Sequence, residues 1–284
     1  MTTIAPETEI GAVALTVSDL ERALDFYQQE IGLQLHERQN GEAALGVGAQ
    51  DLLYLRELPG ARQVRGTSGL YHFAILVPNR RELARVLRHF ADTGTRLQGF
   101  SDHLVSEALY LADPDGNGIE VYRDRPRAQW PYLGDRLQMA TDPLDLQDIL
   151  GELPEEDSAW SGLAKGTKIG HIHLHVSNIQ REEAFYRDLL GFELITRYPP
   201  SASFLGAGGY HHHIGINIWA GAGAPPPPPD ATGLRWFTIE LPSAEALAAV
   251  KERLDQAGVA VEPQEQGLLL HDPARNAIVL RVRG

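Results

Sequence analysis

At 284 residues, 43% hydrophobic and 22% charged, the chain can bury a large core and has the length of about two domains. A formal net charge of −13 argues against nucleic acid and anionic membrane surfaces as partners, and the absence of cysteine excludes disulfides, thiolate metal sites and cysteine nucleophiles. The opening MTTIAPETEI lacks the basic start and apolar core of a signal peptide, and no apolar run reaches the roughly 18 residues of a membrane helix. A soluble, cytoplasmic protein is expected, with any metal held by His, Asp or Glu.

In chain order, GAVALTVSDLERALDFYQQEIGLQL from Gly11 reads as an alternating strand, a capped helix and a second strand. Its Phe26 and Tyr27 fall on the buried helix face as packing groups. GLYHFAILVPNRRELARVLRHFADTG from Gly69 is a strand, a proline turn and an amphipathic helix closed by glycine. It runs on to DPDGNG, a strong hairpin-turn signal before the strand GIEVYRD. Residues 126–168 read as a linker with one short helix, Asp142 as its cap and Pro143 in its first turn.

GHIHLHVSNIQREEAFYRDLLGFEL from Gly170 repeats the first motif, sharing G-x-x-x-L-x-V-S-[DN]-[LI]-x-R and then FY, here Phe185 and Tyr186. The run GAGAPPPPPD (221–230) is predicted to be a stiff connector. GLRWFTIELPSAEALAAVKERLDQAG from Gly233 repeats the second motif and ends in LHDPARNAIVLRVRG. The fold class is therefore α+β, with four βαβββ modules. The expected division is domain 1 at 1–125 (modules 11–58 and 69–125), the linker at 126–168, and domain 2 at 169–284 (modules 169–220 and 233–284).

Six of eleven histidines lie in two runs, His171, His173 and His175, and His211, His212 and His213. Strand alternation puts the first three on one face, and His211 with His213 on one face opposite His212. Overlaying the modules aligns Ala12, His72, His171 and Trp236 on the first strands. On the last strands it aligns Leu53, Glu120, His213 and Val279, with His211 a substitute for His213. Modules two and three thus offer His72, Glu120, His171 and His213 as metal ligands, whereas modules one and four offer none. Two imidazoles and a carboxylate with open positions suit iron(II), Fe(II), and oxygen chemistry. A fourth protein ligand points instead to zinc, nickel, cobalt or manganese as a Lewis acid.

GLYHFAILVP, VSEALYLADPDGNGIEVYRDRP, GHIHLHVSN and AGGYHHHIGINIWAG are similar to stretches of the vicinal oxygen chelate superfamily of glyoxalases, bleomycin-resistance proteins and extradiol dioxygenases, and closest to bacterial catechol 2,3-dioxygenase-like two-domain proteins. The resemblance implies two incomplete barrels and a metal-dependent ring-cleaving (extradiol) dioxygenase. It further implies a small aromatic substrate, a catechol or hydroquinone, with O2, and iron(II) first among metals, with Mn, Zn or Ni as alternatives. Neither nucleic acid nor a membrane is an expected partner, and a homo-oligomer is compatible. In such enzymes modules three and four build the iron site, but here their positions hold Trp236 and Val279, which cannot ligate. All four candidate ligands meet only if modules two and three share one barrel and modules one and four the other. The long linker permits that pairing. A separation of His72 and His171 above about 10 Å would refute it, because metal–ligand bonds are about 2 Å.

Around the ligands, His173 is a candidate base or substrate donor, with a backbone-bonded core histidine as the alternative. His103 is a candidate gate and, with Tyr122, a candidate proton donor. Buried Glu107 needs a partner, and Asn217 shares the face of His213. The competing functions are a glyoxalase-like isomerase or lyase and a metal-free binder of small aromatics. No G-x-S-x-G elbow and no Gly-rich phosphate loop is present.

Overall fold

The computed structural model describes residues 3–154 and 159–284. The first two residues and part of the linker, 155–158, lie outside them. Module one is β1 (Glu9–Val17), α1 (Leu20–Asp25) continued by a π-helical turn (Phe26–Ile31), β2 (Gln34–Gln39), β3 (Glu42–Val47) and β4 (Gln50–Glu57). Module two is β5 (Gly69–Leu76), α2 (Arg80–Thr93), β6 (Gly99–Asp102), β7 (Ser106–Ala112) and β8 (Gly118–Asp124). The linker carries a small hairpin, β9 (Tyr132–Leu133) with β10 (Arg136–Leu137), and the helix α3 (Leu146–Leu150). Module three is β11 (Lys168–His175), α4 (Ile179–Ala184) with its π-helical turn (Phe185–Leu190), β12 (Glu193–Tyr198), β13 (Ala202–Gly206) and β14 (Ile214–Asn217). Module four is β15 (Gly233–Leu241), α5 (Ala244–Gln256), β16 (Glu262–Gln264), β17 (Gly267–His271) and β18 (Ala277–Val282).

Capping residues start the helices where the sequence places them. Asp19, Asn79, Asn178 and Ser243 each accept a hydrogen bond from a first-turn N–H. The linker helix differs from expectation. Its cap is Asp145, whose carboxylate accepts from the N–H of Gln147 and Asp148, and Asp142 instead bridges to Asp102. A capping oxygen must sit one residue before the helix, and Asp145 has that place while Asp142 does not.

The strands form two curled eight-stranded sheets, ordered β16-β17-β18-β15-β1-β4-β3-β2 and β12-β13-β14-β11-β5-β8-β7-β6. Modules one and four therefore share one sheet, and modules two and three the other. Each sheet takes one module from each half of the chain, so the sheets do not follow the sequential division at the linker. The antiparallel junctions are β1 with β15 and β5 with β11, and β1 packs beside β11 where the sheets meet.

The repeated FY motif ties the sheets together. The Tyr27 hydroxyl donates to Asp113 in the β7–β8 turn (2.8 Å), and the Tyr186 hydroxyl donates to Asp272 in the β17–β18 turn (3.0 Å). Each bond joins a module to the opposite sheet, and both tyrosines are wholly buried. The proline run at 221–230 is an irregular crossing from β14 to β15, held where the Ser68 N–H donates to the Pro225 carbonyl (2.8 Å). The linker stays with one sheet, leaving β8 and returning to β11.

Candidate metal centre

The register of the second sheet gathers the site. His173 lies directly across from His72, His171 across from Ala74, and Ala74 across from Glu120. Residues directly opposite on neighbouring strands share a face. His72, His171, His173 and Glu120 therefore all stand on the concave side. The Nε2 atoms of His72 and His171 lie 3.1 and 3.2 Å from the Glu120 Oε2. One donor atom from each of the three falls within 4.8 Å of the others, and all three residues are buried.

This donor set fits a divalent metal. Bonds of about 2 Å to one ion bring its ligand atoms to separations of this order. The His72 Nε2, although close to Glu120, makes no hydrogen bond, and the His171 Nδ1 and His173 Nε2 also lack partners. Orphaned buried nitrogens are uncommon in folded proteins, and the His72 Nε2, 3.1 Å from the Glu120 carboxylate without a hydrogen bond, marks a place for a positive ion. Burial alone would raise the Glu120 carboxyl, but the imidazoles of His171 and His72 outweigh it and hold it well below the usual range. Burial pushes His171 down to about 4 and His173 well below its ordinary value, so both imidazoles are neutral at pH 7 and free to ligate.

The fourth expected ligand does not join. β14 begins at Ile214, which pairs with Ile172, so His213 precedes the strand and its alternation does not govern the side chain. The His213 Nδ1 accepts from the Ala207 N–H (3.1 Å), and its ring lies against Tyr210, lining a different cavity with Lys168 and Pro6. His211, its substitute, points its Nε2 at Asp124 (2.8 Å). His212, expected to face away, instead lines the cavity in front of the cluster, with its ring centroid 4.1 Å from that of His171. The segment Tyr210–His213 has no strand geometry, so the period-two rule fails over it.

That cavity, of about 580 Å³, is lined by His72, Glu120, His173 and His103. His103 is held by the linker. Its Nδ1 lies 2.6 Å from the Ala140 carbonyl, which can only accept, so Nδ1 carries the proton. Its Nε2 lies 2.6 Å from the Tyr110 hydroxyl and, in the neutral ring, accepts from it. Tyr110 stands directly opposite Glu120 in the β7–β8 hairpin. Burial, reinforced by Glu120, raises its phenol well above 10. The residue is absent from the sequence reading, yet counting back from the DPDGNG turn places it beside Glu120.

Tyr122 lies behind the cluster rather than in the cavity. It packs on His171 (centroids 4.9 Å), and its hydroxyl donates to Tyr210 (2.7 Å), which in turn donates to Asp124 (2.9 Å). Its proton is thereby committed away from the cavity, which Tyr110 lines and Tyr122 does not. Gly170 makes room for Tyr122, since a Cβ there would collide with the hydroxyl. Asp124 also holds His211, whose Nδ1 lies 2.8 Å from the His212 Nδ1. The carboxylate fixes a proton on the His211 Nε2, so in neutral rings the His212 Nδ1 donates and its Nε2 is the basic atom. Glu107 finds its partners in Arg80, Arg123 and Arg125, and Asn217 bonds to His175.

The model of the Glyoxalase/Bleomycin resistance protein/Dioxygenase superfamily matches residues 9–121 and 168–268. The chain is 46% identical over 284 residues to a Catechol-2,3-dioxygenase of Bacillus subtilis (strain 168), covering 98% of this chain and 99% of that protein. Among solved structures, a putative dioxygenase from Bacillus subtilis superposes with a TM-score of 0.66 at 12% identity, covering 100% of this chain and 87% of the other. Glyoxalase I from Zea mays superposes with a TM-score of 0.58 at 16% identity, covering 96% and 92%. At these identities the two structures speak to the fold, which they share with this chain. The four-module fold, the superfamily match along both halves and the full-length relative agree: the chain belongs to the Glyoxalase/Bleomycin resistance protein/Dioxygenase superfamily.

Proposed function

We propose that this chain is a metal-dependent ring-cleaving (extradiol) dioxygenase that acts on a catechol or hydroquinone. The observation that carries the reading is the convergence of His72, Glu120 and His171 on one point, two of them, His72 and Glu120, lining a cavity. The name of the Bacillus subtilis relative supports it. Three protein ligands leave positions open for a diol and dioxygen, whereas a Lewis-acid isomerase reading rests on a fourth, and His213 is elsewhere. A metal-free binder has no use for a buried carboxylate met by two imidazoles, one of them without a hydrogen bond. Iron(II) is the metal this donor set suits best, with Mn, Zn or Ni as alternatives. Bound there, it couples the electrons of a chelated ring diol to dioxygen.

The chain's own residues then supply positioning and proton transfer. A ring diol must lose a proton to chelate, and two bases face it. The His173 Nε2 is buried and unpartnered beside His72 (ring centroids 5.0 Å), and the His212 Nε2 is left as the unprotonated nitrogen by the contact of its Nδ1 with His211, which Asp124 holds. On the other wall Tyr110 holds a proton at its hydroxyl, in contact with the His103 Nε2. If His103 takes up a second proton, both of its nitrogens donate, and the Tyr110 hydroxyl is free to donate toward the substrate. The pair thus returns a proton to an oxygen that gains charge during ring opening. Both oxygen atoms enter the product, so no external reductant is required. The cysteine-free composition suits the reducing cytoplasm. No helix among the described residues is long and apolar enough to cross a membrane.

The test is anaerobic purification, metal analysis and oxygen uptake with a panel of catechols and hydroquinones. Uptake should follow iron content. The reading fails if no metal restores uptake with any diol.

A further inference from the structure

Resting on that reading, we infer that the ring this enzyme accepts carries an uncharged, apolar substituent, alkyl or aryl, and that carboxylated catechols are refused. The cavity supplies three independent grounds. Its volume of about 580 Å³ falls in the range of sites for drug-sized ligands, so a bare six-membered diol leaves most of it unfilled. Beyond the metal-binding floor Leu111, Ile119, Met139 and Phe204 give the walls an apolar part, interrupted by uncharged hydroxyl side chains such as Ser106 and Thr141. At the mouth stand four aromatic side chains that remain open to solvent, Trp219 at 51%, Phe100 at 43%, Tyr71 at 40% and Tyr198 at 38%. Large apolar side chains left exposed around one opening mark a surface that a ligand covers.

The third ground is charge. Among the described residues that line the cavity there is no Lys or Arg, and the one carboxylate is Glu120. A ring carboxylate would find no guanidinium or ammonium partner in this lining and would be repelled by Glu120, a large cost. The nearby arginines are spent: Arg125 pairs with Asp102 and Glu107, and Arg123 with Glu107. By contrast, each methylene that the walls remove from water is worth about fourfold in affinity. The aromatic mouth can also stack on an aryl substituent.

The experiment compares catechol, butylcatechol, phenylcatechol and dihydroxybenzoate with the metal-loaded enzyme. Oxygen uptake gives kcat/KM, and anaerobic quenching of Trp219 fluorescence gives Kd. The Trp219→Phe variant identifies that signal among the four tryptophans. Butylcatechol and phenylcatechol should exceed catechol by about tenfold or more in both quantities, as a few buried methylenes require. Dihydroxybenzoate should fall below catechol by about a hundredfold, the effect of an unpaired buried carboxylate. Gln98, exposed at the mouth, offers the converse test. Gln98→Arg should raise kcat/KM for dihydroxybenzoate by about fivefold, the value of a partly exposed ion pair. The inference is overturned if dihydroxybenzoate is bound and cleaved as well as butylcatechol. Uptake with no diol at all would instead overturn the dioxygenase reading, and the fluorescence Kd values would still decide between apolar and carboxylated ligands.

Discussion

The two sheets are built on one plan and differ at a handful of inward positions. Ladder register makes the comparison residue by residue. Where β11 and β5 set His173 against His72, β1 and β15 set Ala14 against Trp236. Where Ala74 meets Glu120, Thr238 meets Val279. His173 faces Gly215 on β14, and Ala14 faces Tyr54 on β4. The second sheet therefore gathers imidazoles around a carboxylate, with Gly215 leaving room. A Cβ at Gly215 would stand 2.9 Å from the His173 ring. The first sheet covers the same place with Tyr54 and Trp236, whose rings lie 5.4 Å apart. On the proposed function, one scaffold thus carries a reactive half and a packed half. The lesson is that the proposed metal centre rests on a few inward side chains and a glycine, not on the modules themselves.

The comparison is broken most directly by giving the reactive half the other half's residue. Glu120→Val copies Val279, and it should abolish metal binding and lower activity by more than about a thousandfold, because even outer partners of metal ligands cost 10–100-fold. Metal analysis of the folded variant checks it. Tyr110→Phe should retain the metal and lose about a hundredfold in kcat, the typical worth of one positioned proton donor. Retained KM for the diol would separate this from a loss of binding.

Acid should act on the reactive half first. The folded His171 titrates near 4, against an ordinary value of 6.5. Between these values the unfolded chain binds the proton and the folded chain does not, so stability of the metal-free protein falls as pH drops from about 6.5 to 4. His171 alone accounts for about 3 kcal/mol of that fall. Denaturant titrations at pH 7 and 4.5 on the protein and on His171→Leu would measure it, with a shallower pH dependence expected in the variant. The smallest effect belongs to the packed half. Trp236→Ala should cost about 1–2 kcal/mol of stability, as expected for a half-buried aromatic, and change kcat by less than about twofold. A large loss of activity there would mean that the second half takes part in the reaction.

Much of the fold was legible because it repeats. Paired motifs, capping residues and the DPDGNG turn fixed the modules, and overlaying them placed His72, His171 and Glu120 opposite Trp236, Ala12 and Val279. Regular strands obey a period of two, so each of these residues falls on a knowable face. His213 and His212 lie in an irregular segment before β14, and there the same rule assigned them the wrong surroundings. Tyr110 was readable from hairpin register but carries no signature of its own. The tautomer of His103 depends on a carbonyl 37 positions along the chain, which no local pattern reveals.

By itself the sequence determined the four modules, the candidate ligands of modules two and three and the lack of candidates in modules one and four, because all of these follow from residue identity and local period. Tertiary structure alone decided which modules share a sheet. It also decided that His212 rather than His213 faces the cavity, and that the linker supplies part of the site. The physical reason is that local periodicity fixes which face a side chain takes, whereas strand pairing between distant segments fixes what that face meets.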